Sequence, residues 1–112
     1  MQKFISKEIK NKVKIVLNSL LESKAIEENV INLENKGLIA DALVVTHGTS
    51  NIHMQSIALK LEKNLRNANI KFASEGQTSD SWVLVDCGDM VIHIFSKEAR
   101  ENYALEKLWL EN

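Results

Sequence analysis

Proline is missing from this sequence altogether, cysteine occurs once and glycine four times, and aromatic residues make up only 5% of it. A single cysteine, Cys87, excludes an intrachain disulfide and points to a reducing compartment. No run of roughly 18 apolar residues is present, so no stretch reads as a membrane-spanning helix. The opening Met1-Gln2-Lys3-Phe4-Ile5 passes at once into mixed lysine and glutamate. It has neither the apolar core of a signal peptide nor the Arg-rich, acid-poor character of a transit peptide, so a cytoplasmic location is expected. A surplus of positive charge is lacking too: the net charge of −1 argues against bulk nucleic-acid binding, which needs a basic stripe for phosphates. The absence of proline identifies no function.

What remains is ordinary for a globular protein, with 45% hydrophobic and 26% charged residues. The 112 residues suit one domain, able to bury about two-thirds of its unfolded surface without metal or disulfide staples. The strongest local signal is Ser81 to Phe95, two apolar β-branched runs around a Gly-centred turn, which predicts a β-hairpin. Either two-residue loop, Cys87-Gly88 or Gly88-Asp89, gives the same side assignment. Val83, Val85, Met90, Ile92 and Ile94 share one aliphatic face. Trp82, Leu84, Asp86, Val91, His93 and Phe95 share the other. The first face reads as core, and the second, mixing rings and polar groups, as a surface that touches something.

Upstream, Ile9, Val13, Val16, Leu17, Leu20 and Leu21 recur at helical spacing behind the N-cap Ser6. Lys3, Lys7, Lys10, Lys12 and Lys14 read as the solvated side of that helix, and Glu8 dilutes any basic patch. Asn29–Leu33 is a strand candidate closed by the turn Asn35-Lys36-Gly37. Ala42–Thr46 shows no alternation, so it is expected to be buried on both faces. After His47-Gly48 a second helix is predicted through Met54, Ile57, Ala58, Leu61 and Leu65, capped by Thr49, Ser50 or Asn51. Ile70–Ala73 is a further strand. Ser96 opens a last helix with Ala99, Tyr103 and Leu105. The order α-β-β-α-β-β-β-α predicts an α/β domain around a small mixed sheet.

Several constellations could carry chemistry. The His47–Asn51 turn follows a strand and opens a helix, so its amides could cradle an anion, but it lacks the glycines and lysine of a phosphate loop. Asp86 and Asp89 flank the hairpin tip near His93 and could hold a metal or act as acid and base. No third ligand is evident, and Asp and Gly suit a turn for backbone reasons. Cys87 and His93 fall on opposite sides by parity, which defeats a nucleophile–base pair. His47, His53 and His93 with Cys87 lack zinc-ligand spacing, and His53, just inside a helix, is expected to face solvent. Ser50 has no Gly-x-Ser-x-Gly elbow. Trp82, Tyr103 and Trp109 remain as anchors that suit core or interface equally, in a mildly acidic C-terminal third that fits a basic protein partner better than RNA.

Ala40-Asp41, Val44-Val45, Gly48-Thr49-Ser50, Glu75-Gly76, Trp82–Asp86 with Gly88-Asp89, Val91-Ile92-His93, Arg100–Tyr103 and Leu105–Trp109 stand in one order and spacing. Together, from about Val13 to Trp109, the chain resembles the ribosomal silencing factor family, RsfS, also called Iojap-related. The resemblance implies an α/β fold distantly similar to nucleotidyltransferases but without their catalytic residues, no enzyme activity and no cofactor. It implies binding to the large ribosomal subunit through the conserved large-subunit ribosomal protein number fourteen. Joining of the small subunit would thereby be blocked sterically and translation repressed under nutrient limitation, with a role in large-subunit assembly in some members.

The partner-binding residues it implies are Trp82, Leu84, Asp86, Gly88, Asp89, His93, Tyr103, Leu108 and Trp109, most of them on the mixed face found by parity. Cys87, His47 and Ala42-Leu43 depart from the family pattern. Two further readings stand beside it. One is a nucleotide-binding or nucleotidyltransferase-like enzyme built on Asp86, Asp89 and the turn at Gly48. The other is a homodimer of the free protein through the same face. No membrane and no sequence-specific nucleic acid is expected as partner.

Overall fold

The computed structural model describes residues 4–38 and 40–107. Its elements run α1 (Lys7–Glu22), β1 (Ile26–Asn32), β2 (Ala42–Gly48), α2 (Asn51–Asn67), β3 (Ala73–Glu75), β4 (Trp82–Asp86), β5 (Met90–Ser96) and α3 (Lys97–Tyr103). This is the order the sequence predicts. The strands form one mixed sheet in the order β1-β2-β5-β4-β3, in which only the β2–β5 pair is parallel. That parallel pair explains why β2 shows no alternation. It lies inside the sheet under helices on either side, and every one of its residues is buried.

The hairpin of β4 and β5 sorts its side chains as parity predicts. Val83, Val85, Met90, Ile92 and Ile94 are sealed in a core with α1 and α2, through Ile9, Val13, Val16, Leu20, Met54, Ile57 and Leu61. The opposite face carries a smaller cluster in which Ile31, Leu33, Leu43, Val45 and Phe95 pack against Ala99 of α3. Among the described residues, α1 and α2 therefore cover one side of the sheet, and the seven-residue α3 sits on the other.

Local capping sets where each helix begins and ends. Ser6, Ser50 and Ser96 accept the backbone N–H three residues on, from Ile9, His53 and Ala99. Both long helices close with a left-handed residue, Lys24 after α1 and Asn69 after α2. The next amides then bond back, Ala25 to the Leu20 carbonyl and Ile70 to the Leu65 carbonyl, each at 2.9 Å.

The closure of α2 corrects the strand expected at Ile70–Ala73. Ile70 is consumed by the helix cap, Ile70 and Phe72 pack on the core without a strand partner, and pairing starts only at Ala73. Three other details differ from expectation. β1 begins earlier, at Ile26, because a bulge at the left-handed Glu27 restores pairing with His47. Leu21 is three-quarters exposed, since it lies beyond the edge of the α1 apolar stripe. α3 stops at Tyr103, short of the expected Leu105, and the left-handed Ala104 carries Leu105 off the axis and down onto the smaller cluster.

Candidate partner-binding face

Among the described residues, α3 is short and leaves part of its side of the sheet uncovered, along β4 and β5. Cross-strand register places Trp82 beside Phe95, Leu84 beside His93 and Asp86 beside Val91. Phe95 is the floor, 1% exposed, while Trp82, Leu84, Val91 and His93 are half-buried and Asp86 is exposed. Tyr103, brought in by α3, leans over the same rings: Trp82 lies 5.0 Å from Tyr103 and 5.3 Å from Phe95 between centroids. His93 stacks on Phe95 at 5.9 Å and 9°. Offset and tilted packing of this kind adds about 0.5–1.5 kcal/mol per pair beyond buried area, so the rings stand as a rigid block.

On β4 and β5 the polar groups of the face are few and fixed, and Glu75 of β3, opposite Leu84, adds an exposed carboxylate at its edge. The Trp82 indole Nε1–H donates to His93 Nδ1 at 3.0 Å. Burial pushes His93 down to about 4, so the ring is neutral at physiological pH. Asp86 accepts the Gly88 N–H at 2.8 Å, which shapes the tip where Gly88 takes φ +86°. The observed loop is Gly88-Asp89, closed by the Cys87 N–H donating to the Met90 carbonyl.

Asp89 faces the other way. Its carboxylate is gripped by the Lys12 ammonium of α1 at 2.9 and 3.1 Å, and its carbonyl accepts from Asp41 and Ala42. The Lys12 ammonium is correspondingly pushed up, chiefly by that hydrogen bond. Of the residues named from the sequence, the structure thus brings Trp82, Leu84, Asp86, His93 and Tyr103 together, with Gly88 at the tip. Asp89 lies toward the helix pair. Leu108 and Trp109 lie outside the described residues.

One cluster had no sequence signal. Arg100 of α3 forms a bidentate pair with Glu106 at 2.7 and 3.0 Å. It also donates to the Ile26 carbonyl and to His47 Nδ1, while Asn29 donates to Glu106. Arg100 holds the Glu106 carboxyl below the usual range. Burial first, then the guanidinium, lowers His47. A six-residue separation is not a helical pairing, and only the left-handed turn at Ala104 brings the two side chains together. His53 also corrects its expected solvent role: Nδ1 accepts from Thr49 N–H, and Nε2 meets the Ser23 carbonyl at 2.8 Å, tying α2 to the end of α1.

The turn between β2 and α2 opens into a cleft, but its groups are already engaged. Ser50 and Ser96 serve as caps, Thr49 N–H is held by His53, and the rim sets the Asp80 and Glu98 carboxylates against one cation, Lys97. Among the described residues, no three His, Cys, Asp or Glu side chains are close enough to hold a metal ion. No described helix is long and apolar enough to cross a membrane.

Fold and face together define a mixed α/β domain with one side of its sheet fully covered and an aromatic, half-open surface on the other. Compared with known proteins, residues 6–112 match the family described as ribosomal silencing factor during starvation. The chain is 37% identical over 98 residues to the ribosomal silencing factor of Halalkalibacterium halodurans, covering 87% of this chain and 84% of that protein. It is 33% identical over 101 residues to the mouse protein named for mitochondrial assembly of the ribosomal large subunit, covering 87% of this chain and 44% of that one. A solved structure from Chromobacterium violaceum superposes with a TM-score of 0.87 at 28% identity, over 90% of this chain and 85% of that one. The chain belongs to the ribosomal silencing factor family, RsfS.

Proposed function

We propose that this protein binds the large ribosomal subunit through large-subunit ribosomal protein number fourteen, and by its bulk keeps the small subunit from joining. Translation is thereby repressed when nutrients run short, in the cytoplasm, and no reaction or cofactor is involved. The observation that carries this reading is the half-covered face: Trp82, Leu84, His93 and Tyr103 form a rigid aromatic-aliphatic surface with two exposed carboxylates toward its edge, Asp86 and Glu75. Such a composition is that of an interface centre. Asp86 favours a basic residue on the partner. Gly88 and the Lys12-bound Asp89 contribute by fixing the hairpin tip, and Leu108 and Trp109 join the proposal on the family resemblance alone.

The relative named for large-subunit assembly in mitochondria supports the large subunit as partner and adds assembly as a second role. The scaffold is read as that of a nucleotidyltransferase without its catalytic carboxylates. In the free protein the same face serves a homodimer, which competes with the ribosome.

The test is co-sedimentation with separated subunits, followed by a subunit-joining assay. The unsubstituted chain is expected to pellet with the large subunit alone and to suppress joining. Leu84→Asp, which puts a charge on the face and leaves the core untouched, is expected to weaken binding by about tenfold or more. Equal binding by that variant moves the interface elsewhere. No binding to either subunit overturns the reading.

A further inference from the structure

His93 is the one imidazole on the aromatic face, and its two nitrogens have different fates. Nδ1 accepts the Trp82 indole N–H, so in the neutral ring the proton must sit on Nε2. The ring packs against the indole at 5.6 Å and stacks on Phe95 at 5.9 Å, which restrains its plane, while the indole hydrogen bond sets its tautomer. Among the described residues Nε2 has no hydrogen-bond partner, and it is not among the buried polar atoms cut off from solvent. Leu84 lies opposite His93 across the strands, Val91 two residues along on the same side, and Trp82 beside it. The face therefore offers at His93 a directed, uncharged donor among apolar neighbours, with the Asp86 and Glu75 carboxylates toward its edge.

We propose that His93 Nε2–H is the specificity-determining donor of this face, received by a hydrogen-bond acceptor on an otherwise apolar partner surface, with Trp82 the positioning residue that selects the tautomer. The inference rests on the docking reading above and deepens it by stating what the partner must present. The acceptor is a backbone carbonyl or side-chain oxygen on the ribosomal protein, with a cation placed to meet Asp86. A partner without the acceptor leaves a buried N–H unsatisfied on docking, which is how a flat aromatic face rejects other apolar surfaces. Were the proton on Nδ1 instead, Nε2 would accept rather than donate, and the Trp82 N–H would lose its partner. The indole therefore does more than fill area.

Two measurements test this. Nitrogen-15 NMR of the free chain reads the His93 tautomer without any partner: the Nε2–H form is expected, and Trp82→Phe, which keeps an aromatic ring but removes the N–H, is expected to release a mixture. Large-subunit co-sedimentation then compares His93→Phe, which keeps a ring and loses the donor, with His93→Gln, whose amide N–H sits where Nε2–H does. His93→Phe is expected to bind about tenfold more weakly and His93→Gln within about threefold of the unsubstituted chain. Equal binding by all three, or equal loss in both variants, overturns the directed donor. A free chain already in the Nδ1–H form overturns the role of Trp82. If His93→Phe affects only self-association, the acceptor belongs to a second copy of the chain and the proposed partner is wrong. Failure of the unsubstituted chain to bind either subunit removes the docking reading, and is told apart from failure of the donor because it precedes any substitution.

Discussion

His93 and Cys87 belong to one hairpin and point to opposite sides of it, and burial drives both toward their neutral forms. The Cys87 thiol, packed against the main core, is pushed up to about 11 by burial, so it holds almost no thiolate at neutral pH. His93, pushed down to about 4, has a consequence for stability. Between about 6.5 and 4 the unfolded chain binds a proton that the folded ring refuses, so folding free energy is lost as pH falls through that window. His47, lowered by burial and by Arg100, acts in the same direction. Glu34 and Glu106, lowered by their hydrogen bonds, extend the loss below the ordinary carboxylate range. Urea denaturation at stepped pH is expected to show stability falling from pH 6.5 downward. His93→Gln should flatten the slope between 6.5 and 4 by at most about 1.4 kcal/mol per pH unit. An unchanged slope would mean that the ring is more open to water than the hairpin packing implies.

At the scale of elements, the position of the aromatic face depends on two turns that use glycine differently. Gly88 at the hairpin tip and Gly76 before β4 have nearly the same backbone angle, φ +86° and +83°. A Cβ at Gly88 would meet open space, whereas at Gly76 it would collide with the Trp82 carbonyl. Gly88→Ala should therefore cost about 1 kcal/mol, the left-handed penalty alone. Gly76→Ala should cost clearly more, about 2–4 kcal/mol, because the start of β4 must shift. Chemical denaturation of the two variants separates strain from collision, and only Gly76→Ala should also disturb the Trp82 fluorescence of the native state.

The same elements show what the sequence makes legible. The hairpin faces, the helix caps and the doubly buried β2 follow from short-range rules, and all could be read directly. The strand expected at Ile70 failed because an apolar run immediately after a helix is indistinguishable from the hydrophobic closure of that helix. The early start of β1 and the return of the chain after Tyr103 depend on left-handed Glu27 and Ala104, residue types that do not advertise that conformation. Of the proposed contact residues, those on alternating strand positions were placed by parity. Asp89 was not, since nothing local reveals that Lys12, 77 residues away, holds it.

For the molecule as a whole, the less covered side of the sheet is held by a small apolar cluster and by a polar hub at Arg100. Arg100 joins α3 to β1, to β2 and to the returning segment, through the Ile26 carbonyl, His47 and Glu106. Arg100→Leu leaves the Glu106 carboxylate without its bidentate partner and is expected to cost about 2 kcal/mol. Hydrogen exchange should then accelerate in α3 and the turn after it, while α1 and α2 remain protected. Uniform acceleration throughout would show instead that both sides of the sheet melt as one unit.

The seating of β5 has a consequence for how the protein is made. β5 is the last of the described strands, yet it occupies the middle of the sheet, with β2 on one side and β4 on the other. During synthesis β1 and β2 can pair as soon as they emerge, but the far edge of β2 stays bare until residues 90–96 arrive. An apolar strand with an unpaired edge is a template for other nascent chains. The half-made protein is thus at its most adhesive while still attached to the ribosome, and the insertion of one late strand closes the sheet.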